Sequence, residues 1–173
     1  IGTVLQSNCP KDSSEYENYV EALEDAGLHA ITVTKTCEFT LDGVLYSVDP
    51  PQKDDYEKDD SNNSSLIIAV QNGDNSFLFT GDAQDERIKE FVAANKTTFD
   101  VLKCPYHGHW QESLPLLLES VKPSYVIISS SDDEPEDSET LDLIASAGAK
   151  SLLTREGSLL IQSDGNEIKI SRP

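Results

Sequence analysis

Two side chains in this sequence are spaced to work together. Asp82 follows the apolar run Phe77-Leu78-Phe79 across Thr80-Gly81, and His107 follows a second run, Asp100 to Lys103, across Cys104-Pro105-Tyr106. Between them Ile88, Phe91 and Val92 recur on one side of a helical segment. A strand–helix–strand unit is parallel, so both strand ends reach the same edge of the sheet, where open α/β sheets collect their ligands. A carboxylate and a neutral imidazole converging there suit a divalent transition metal such as zinc. The competing reading of Asp82 is an N-cap for the following helix, and one carboxylate can do both. A histidine alone at His107 would read as a hydrogen-bonded surface residue; beside Asp82 it reads as a ligand.

The elements that must hold this pair are legible along the chain. Ile1 to Gln6 reads as a short strand. Ser14-Glu15-Tyr16-Glu17 is a capping box, followed by Tyr16, Tyr19, Val20 and Leu23 on one helical face, with Gly27 as the stop. His29 opens a strand through Val33 and reads as a strand-start residue. Phe39 to Val48 alternates around Asp42-Gly43, a hairpin signal, and the polar, acidic stretch 50–63 reads as a solvated loop. A second hairpin joins Leu66–Val70 to Phe77–Phe79, with apolar runs that should be covered on both faces. A helix opens at Ser113, a buried strand spans Tyr125 to Ile128, and a helix from Ser138 stops at Gly148. Short strands at Ser151–Leu153, Ser158–Ile161 and Glu167–Ile170 close the chain. The pattern is α/β, with helices against a mixed sheet in one unit spanning 1–173.

Composition narrows the partners. The 173 residues carry 13 Lys plus Arg against 32 Asp plus Glu, a net charge of −19, which repels phosphate backbones and disfavours nucleic acid unless metal ions invert the field locally. No apolar run approaches the ~20 residues of a membrane helix. Cys9, Cys37 and Cys104 form no disulfide framework, which favours a reducing, cytoplasmic setting; an extracellular one would need a signal segment upstream. The chain lacks Met even at position 1, as expected of a processed chain or a piece of a longer one.

The turns Thr80-Gly81-Asp82 and Tyr106-His107-Gly108 resemble the second half of a metallo-β-lactamase-fold hydrolase. The nearest branch is the hydrolase domain of the competence protein ComEC, with its TGD turn followed by an HHGS turn. Asn63-Ser64-Ser65-Leu66, Val121-Lys122-Pro123 and Thr154-Arg155-Glu156-Gly157 extend the resemblance from about Ser13 to Ile170. The resemblance implies an αββα sandwich of which this chain supplies the C-terminal half, its partner being the missing N-terminal half of the same domain. It implies two zinc ions, or manganese, with Asp82 bridging them and His107 a terminal ligand. A water held between such ions loses its proton near pH 7 instead of near 15.7 in bulk, and the hydroxide attacks the substrate, a phosphodiester or another ester of a small molecule. Tyr106, His109 and Trp110 would line the substrate pocket.

This sequence departs from the family in three places. Tyr106 replaces the first His of the HHG turn, which puts substrate handling in question. Asp133-Glu134-Pro135 stands where many ComEC-like domains have Gly-His-Pro, so Glu134 is a weak ligand or a solvated acid. The family's main motif, HxHxDH or HxDxDH, is absent from the 173 residues. Catalytic zinc generally takes three protein ligands plus water, so this chain alone is expected to bind metal weakly and to be inactive. Three rival readings stand beside this one. An aspartyl-phosphate receiver would use Asp82 and Lys103 but lacks its acidic pair. A cysteine hydrolase would use Cys104 and His107. The third is a degenerate lactamase-fold module that only binds.

Overall fold

A computed structural model gives the fold and describes residues 2–57 and 60–173, the side chain of Asp60 excepted. Ile1 of the expected first strand, and Lys58 and Asp59 of the expected 50–63 loop, lie outside the described residues. The chain opens with β1 (Val4–Gln6), α1 (Ser14–Asp25) and β2 (Ala30–Thr32). The cap of α1 is Ser13, whose hydroxyl accepts from the Tyr16 N–H at 3.2 Å, one residue before the expected capping box. Its end is the expected one: Gly27 takes φ 64, and the Leu28 N–H reaches back to the Leu23 carbonyl at 2.8 Å. The strands β1 and β2 pair in parallel, and no third described strand joins them. No residue of α1 is fully buried.

The main sheet has seven strands side by side in chain order. They are β3 (Cys37–Leu41), β4 (Val44–Asp49), β5 (Ile67–Asn72), β6 (Asn75–Phe79), β7 (Val101–Lys103), β8 (Tyr125–Ile128) and β9 (Lys150–Leu153). The first four are antiparallel, joined in part by the Asp42-Gly43 hairpin, where both residues adopt the positive φ that a tight two-residue turn of this twist requires. From β6 onward the pairs are parallel. The change of direction coincides with helices taking over the connections: α3 (Asp85–Ala94), α4 (Leu114–Val121) and α5 (Ser138–Ser146), after a one-turn α2 (Asp60–Asn63). The mixed sheet with flanking helices is therefore the α/β architecture expected of the sequence.

The helices cover one sheet face. Leu78, Leu102, Val126 and Ile128 point into that layer and pack with Ile88, Leu114, Leu117, Val121 and Ile144. Their neighbours Phe77, Val101 and Ile127 point the other way, by the two-residue period of strands. There the hairpin β10 (Leu160–Ser163) and β11 (Ile168–Ser171) provides partial cover, enclosing a cavity of about 420 Å³ lined in part by Leu159 and Ile161. Asn72 anchors the hairpin through its side-chain amide to the Ser163 carbonyl at 3.2 Å. Farther along this face cover is missing: Phe39, Leu41 and Phe79 remain 43%, 59% and 47% exposed. The expected burial of β5 and β6 on both faces thus holds on the helix side and only partly on the other.

Among the described residues, Arg87 is a charged residue with no exposed surface. Arg87 of α3 donates from Nε to the Ser65 carbonyl at 3.1 Å and from Nη2 to both the backbone carbonyl and the carboxylate of Asp49, each at 2.7 Å. It fastens the start of α3 to the end of β4 and the entry to β5. Arg87→Ala removes the only strong countercharge described for Asp49 and should cost about 3–5 kcal/mol in chemical denaturation, the usual cost of breaking such a pair. Arg87→Lys should recover only part, since an ammonium lacks the planar fork.

Candidate functional site

The site is assembled by strand register. In the β6–β7 pair Phe79 lies opposite Lys103, so both chains leave the sheet at the same edge. Thr80, fully buried, clips them together by donating its hydroxyl to the Lys103 carbonyl at 2.7 Å. Gly81 then turns with φ 56, where a Cβ would come within 3.0 Å of Ser65 Oγ, and the Asp82 N–H donates to that same oxygen at 3.2 Å. Asp82 does not cap α3. The orphan N–H groups of Gln84 and Arg87 are taken instead by Asn63 Oδ1, at 3.2 and 3.1 Å. That leaves the Asp82 carboxylate half-exposed at the rim with no helix to serve.

The second arm is a strained turn. Tyr106, His107 and Gly108 all have positive φ, at 45°, 55° and 81°. Each non-glycine residue held so costs on the order of 1 kcal/mol or more, which persists only where surrounding contacts over-determine it. At Gly108 a Cβ would lie 2.8 Å from Ile128 Cγ2 and 2.9 Å from Glu136 Cβ, so no side chain fits. The turn points the His107 ring at the first arm: Nε2 is 3.4 Å from Asp82 Oδ1. The other ring nitrogen, Nδ1, lies 2.6 Å from the Ser129 carbonyl, and the Ser129 hydroxyl is 3.2 Å away. With Nδ1–H donating to that carbonyl, a neutral His107 carries its lone pair on Nε2, aimed at a carboxylate oxygen.

A third charge joins them. Lys103 Nζ donates to the Gly81 carbonyl at 2.8 Å and lies 3.4 Å from the same Asp82 oxygen. The sequence pairs it with Asp82 only in the receiver reading; strand parity, which turns the residue after the buried Leu102 away from the helices, is the signal that brings it to this rim. Tyr106, His109 and Trp110 flank the turn. The Tyr106 and His109 rings are 5.2 Å apart, His109 Nδ1 is 3.8 Å from Asp137, and the Trp110 N–H donates to the Asp137 carboxylate at 2.6 Å. The contacts described for these three lead to Asp137 and to one another, not to Asp82. Among the described residues no group of three or more His, Cys, Asp or Glu side chains is placed to hold a metal ion.

Two residues with alternative sequence readings take the plainer one: Glu134 is a solvated acid and Cys104 a structural cysteine. Glu134 is exposed and engages Ser131 through its backbone: its N–H donates to Ser131 Oγ at 3.1 Å and its carbonyl accepts from the Ser131 N–H at 3.2 Å. The acid with a structural task is Glu136, 1% exposed in its side chain, which accepts from Arg155 Nη2 at 2.9 Å and from Ser130 Oγ. Cys104 is fully buried, and burial pushes its thiol up to about 12, so it is neutral and inert where a nucleophilic cysteine would be ionised.

An α/β chain that brings a carboxylate, an imidazole and an ammonium to the rim of neighbouring parallel strands is what the fold and site define. No family model matches the chain. A stretch of 69 residues, 40% of the chain, is 38% identical to Recombination protein 2 of Haemophilus influenzae, and this match spans 9% of that protein's length. Among solved structures, Igni18, described as a novel metallo hydrolase from the hyperthermophilic archaeon Ignicoccus hospitalis, aligns over 90% of this chain and 66% of its own. The alignment has a TM-score of 0.47 and 15% identity.

Two outcomes follow from the geometry. Burial alone would raise the Glu136 carboxyl, but the hydrogen bonds from Arg155 and Ser130 outweigh it and hold the group below its ordinary range. A depressed folded-state value stabilises above the unfolded value of about 4.3 and loses that contribution as pH falls through the lower one. The stability advantage of the native chain over Glu136→Gln should therefore be full above about pH 5 and shrink below about pH 4, read by denaturant titration across that range. Thiol reagents should leave Cys104 unmodified in the folded chain, and Cys104→Ala should leave any hydrolysis intact; loss of turnover would revive the cysteine reading.

Proposed function

We propose that this chain is the C-terminal part of a metal-dependent hydrolase of metallo-β-lactamase type, acting on phosphodiester or other ester bonds, with Asp82 and His107 among the ligands of its metal. One observation carries the reading: His107 Nε2 and Asp82 Oδ1 face each other at 3.4 Å while Nδ1 lies 2.6 Å from the Ser129 carbonyl, so that in a neutral ring with Nδ1–H donating both facing atoms are acceptors. Such a pair repels unless a cation or proton lies between. A carbonyl-anchored histidine beside a carboxylate is also the usual arrangement around a metal, where the outer partner fixes which nitrogen binds. The donor set suits zinc, and manganese is admissible. A metal bound there supplies Lewis acidity and lowers the pKa of water.

The chain's own residues do the rest. The Ser129 carbonyl orients the imidazole, and Thr80 with the Gly81 turn holds the carboxylate opposite it. Lys103 places a positive charge at the rim of a chain of net charge −19, where an anionic ester would otherwise be repelled. Local likeness to a protein named for recombination supports a phosphodiester among the candidate esters. Two ligands are one short of the usual three, so a third must come from elsewhere. The open β1–β2 pair and the bare apolar face at Phe39, Leu41 and Phe79 support docking against a further half of the same domain.

A second reading, a non-catalytic lactamase-fold module, is favoured by Lys103, since an ammonium beside Asp82 satisfies the carboxylate without a metal. The two separate on the intact protein. The hydrolase reading expects copurifying zinc or manganese and turnover of a model phosphodiester such as bis(p-nitrophenyl) phosphate. Asp82→Ala should lower kcat/KM by about a thousandfold or more, ~4 kcal/mol in the barrier. Turnover unchanged in Asp82→Ala removes that residue from the mechanism, and absence of both metal and turnover selects the binding module.

A further inference from the structure

We infer that the Glu136–Arg155 pair is a positioning device for His107, acting through the strained turn. The inference rests on reading His107 as a ligand only for its purpose; the geometry stands apart from any metal. The left-handed run at Tyr106, His107 and Gly108 is pressed in place by one segment, 129–137. Its first residue supplies the carbonyl that receives His107 Nδ1 at 2.6 Å. At its far end the Asp137 N–H donates to the Gly108 carbonyl at 3.1 Å, the Asp137 carboxylate accepts from the Trp110 N–H at 2.6 Å, and the Glu136 Cβ closes over Gly108. That segment is mostly exposed between its ends, so something must pull it onto the turn.

The Glu136–Arg155 pair provides that pull. The Glu136 carboxylate turns inward and is gripped by the guanidinium, Nε at 3.1 Å and Nη2 at 2.9 Å to one oxygen, and by Ser130 Oγ on the other. Arg155 lies two residues beyond the end of β9, and the intervening Thr154 donates to the Ser130 carbonyl at 3.0 Å. The pair thus ties the segment to the edge strand of the sheet, and the segment in turn fixes the ring. Without the tie, the Ser129 carbonyl and the Gly108 turn lose their common anchor and His107 can rotate or exchange tautomer. A planar fork gripping a buried carboxylate gives angular control that a point charge does not.

The test reads the ring directly. In the metal-free, ¹⁵N-labelled chain at a pH where His107 is neutral, ring ¹⁵N signals should show Nδ1 protonated and Nε2 bare. Glu136→Gln and Arg155→Ala should each shift that tautomer ratio by about tenfold, about 1.4 kcal/mol, which is within the net worth of the one hydrogen bond that selects the tautomer. The double variant should shift it no further, because the two act as one unit. Arg155→Lys, which keeps the charge and favours folding, should fall between. Val121→Ala, a core variant far from the turn, serves as a stability control and should leave the ratio unchanged. Ring signals identical to the native chain in Glu136→Gln and Arg155→Ala, additive effects, or an equal shift in Val121→Ala would overturn the inference. Zinc titration of the intact protein, which supplies the third ligand, is the separate arm. If zinc leaves the His107 signals unmoved while the pair variants shift them, the ligand reading falls and the positioning role stands. Zinc-shifted signals with unperturbed variants give the reverse.

Discussion

The site depends on the parallel alignment of β6 and β7. With Phe79 opposite Lys103, the two chains leave the sheet level with each other, and the Thr80 hydroxyl on the Lys103 carbonyl keeps them so for one more residue. A one-residue slip would turn every side chain of β7 to the opposite face, exposing Leu102 and burying Lys103. The cost of burying an unpaired ammonium and exposing a core leucine makes the register unambiguous. What happens at the rim is therefore decided in the core: Leu78 and Leu102, packed under α3 and α4, fix where Asp82 and His107 emerge.

The two arms meet that rim in different ways. The Asp82 arm is relaxed, since Asn63 from a separate turn satisfies the start of α3 and leaves the carboxylate without a structural duty. The His107 arm is held against its preference, with two non-glycine residues in left-handed conformation. Backbone strain concentrated beside an exposed imidazole is the pattern seen where orientation matters more than stability. Lys103 completes the rim as a charge that neither arm contributes.

Much of this was legible because it is local. The Asp42-Gly43 hairpin, the Gly27 and Gly148 helix stops and the Tyr125–Ile128 strand each follow from a few adjacent residues, and the structure has them at or within a residue of the expected places. The meeting of Asp82 and His107 was legible too, because a strand–helix–strand unit has one geometry. The illegible parts are long-range. Asn63 reaches α3 across 21 and 24 residues, and nothing near Gln84 announces a missing cap. Arg87 reads as a surface residue until Asp49 is folded against it. Glu136 and Glu134 look alike in sequence; only the approach of Arg155 from β9 separates a buried anchor from a solvated acid. Hydrophobic period shows which residues prefer burial, not whether a partner arrives, so the bare face at Phe39, Leu41 and Phe79 could not be read from it.

That bare face gives the acidity of the chain a role beyond discouraging phosphate. An apolar β-surface ending in the edge strand β3, which no further described strand joins, invites copies of the same chain to stack or add strands. Copies that each carry −19 repel one another as they approach, most strongly at low ionic strength, where screening is weak. As long as that face is uncovered, the excess of carboxylates acts as a colloidal safeguard that weakens as the salt concentration rises.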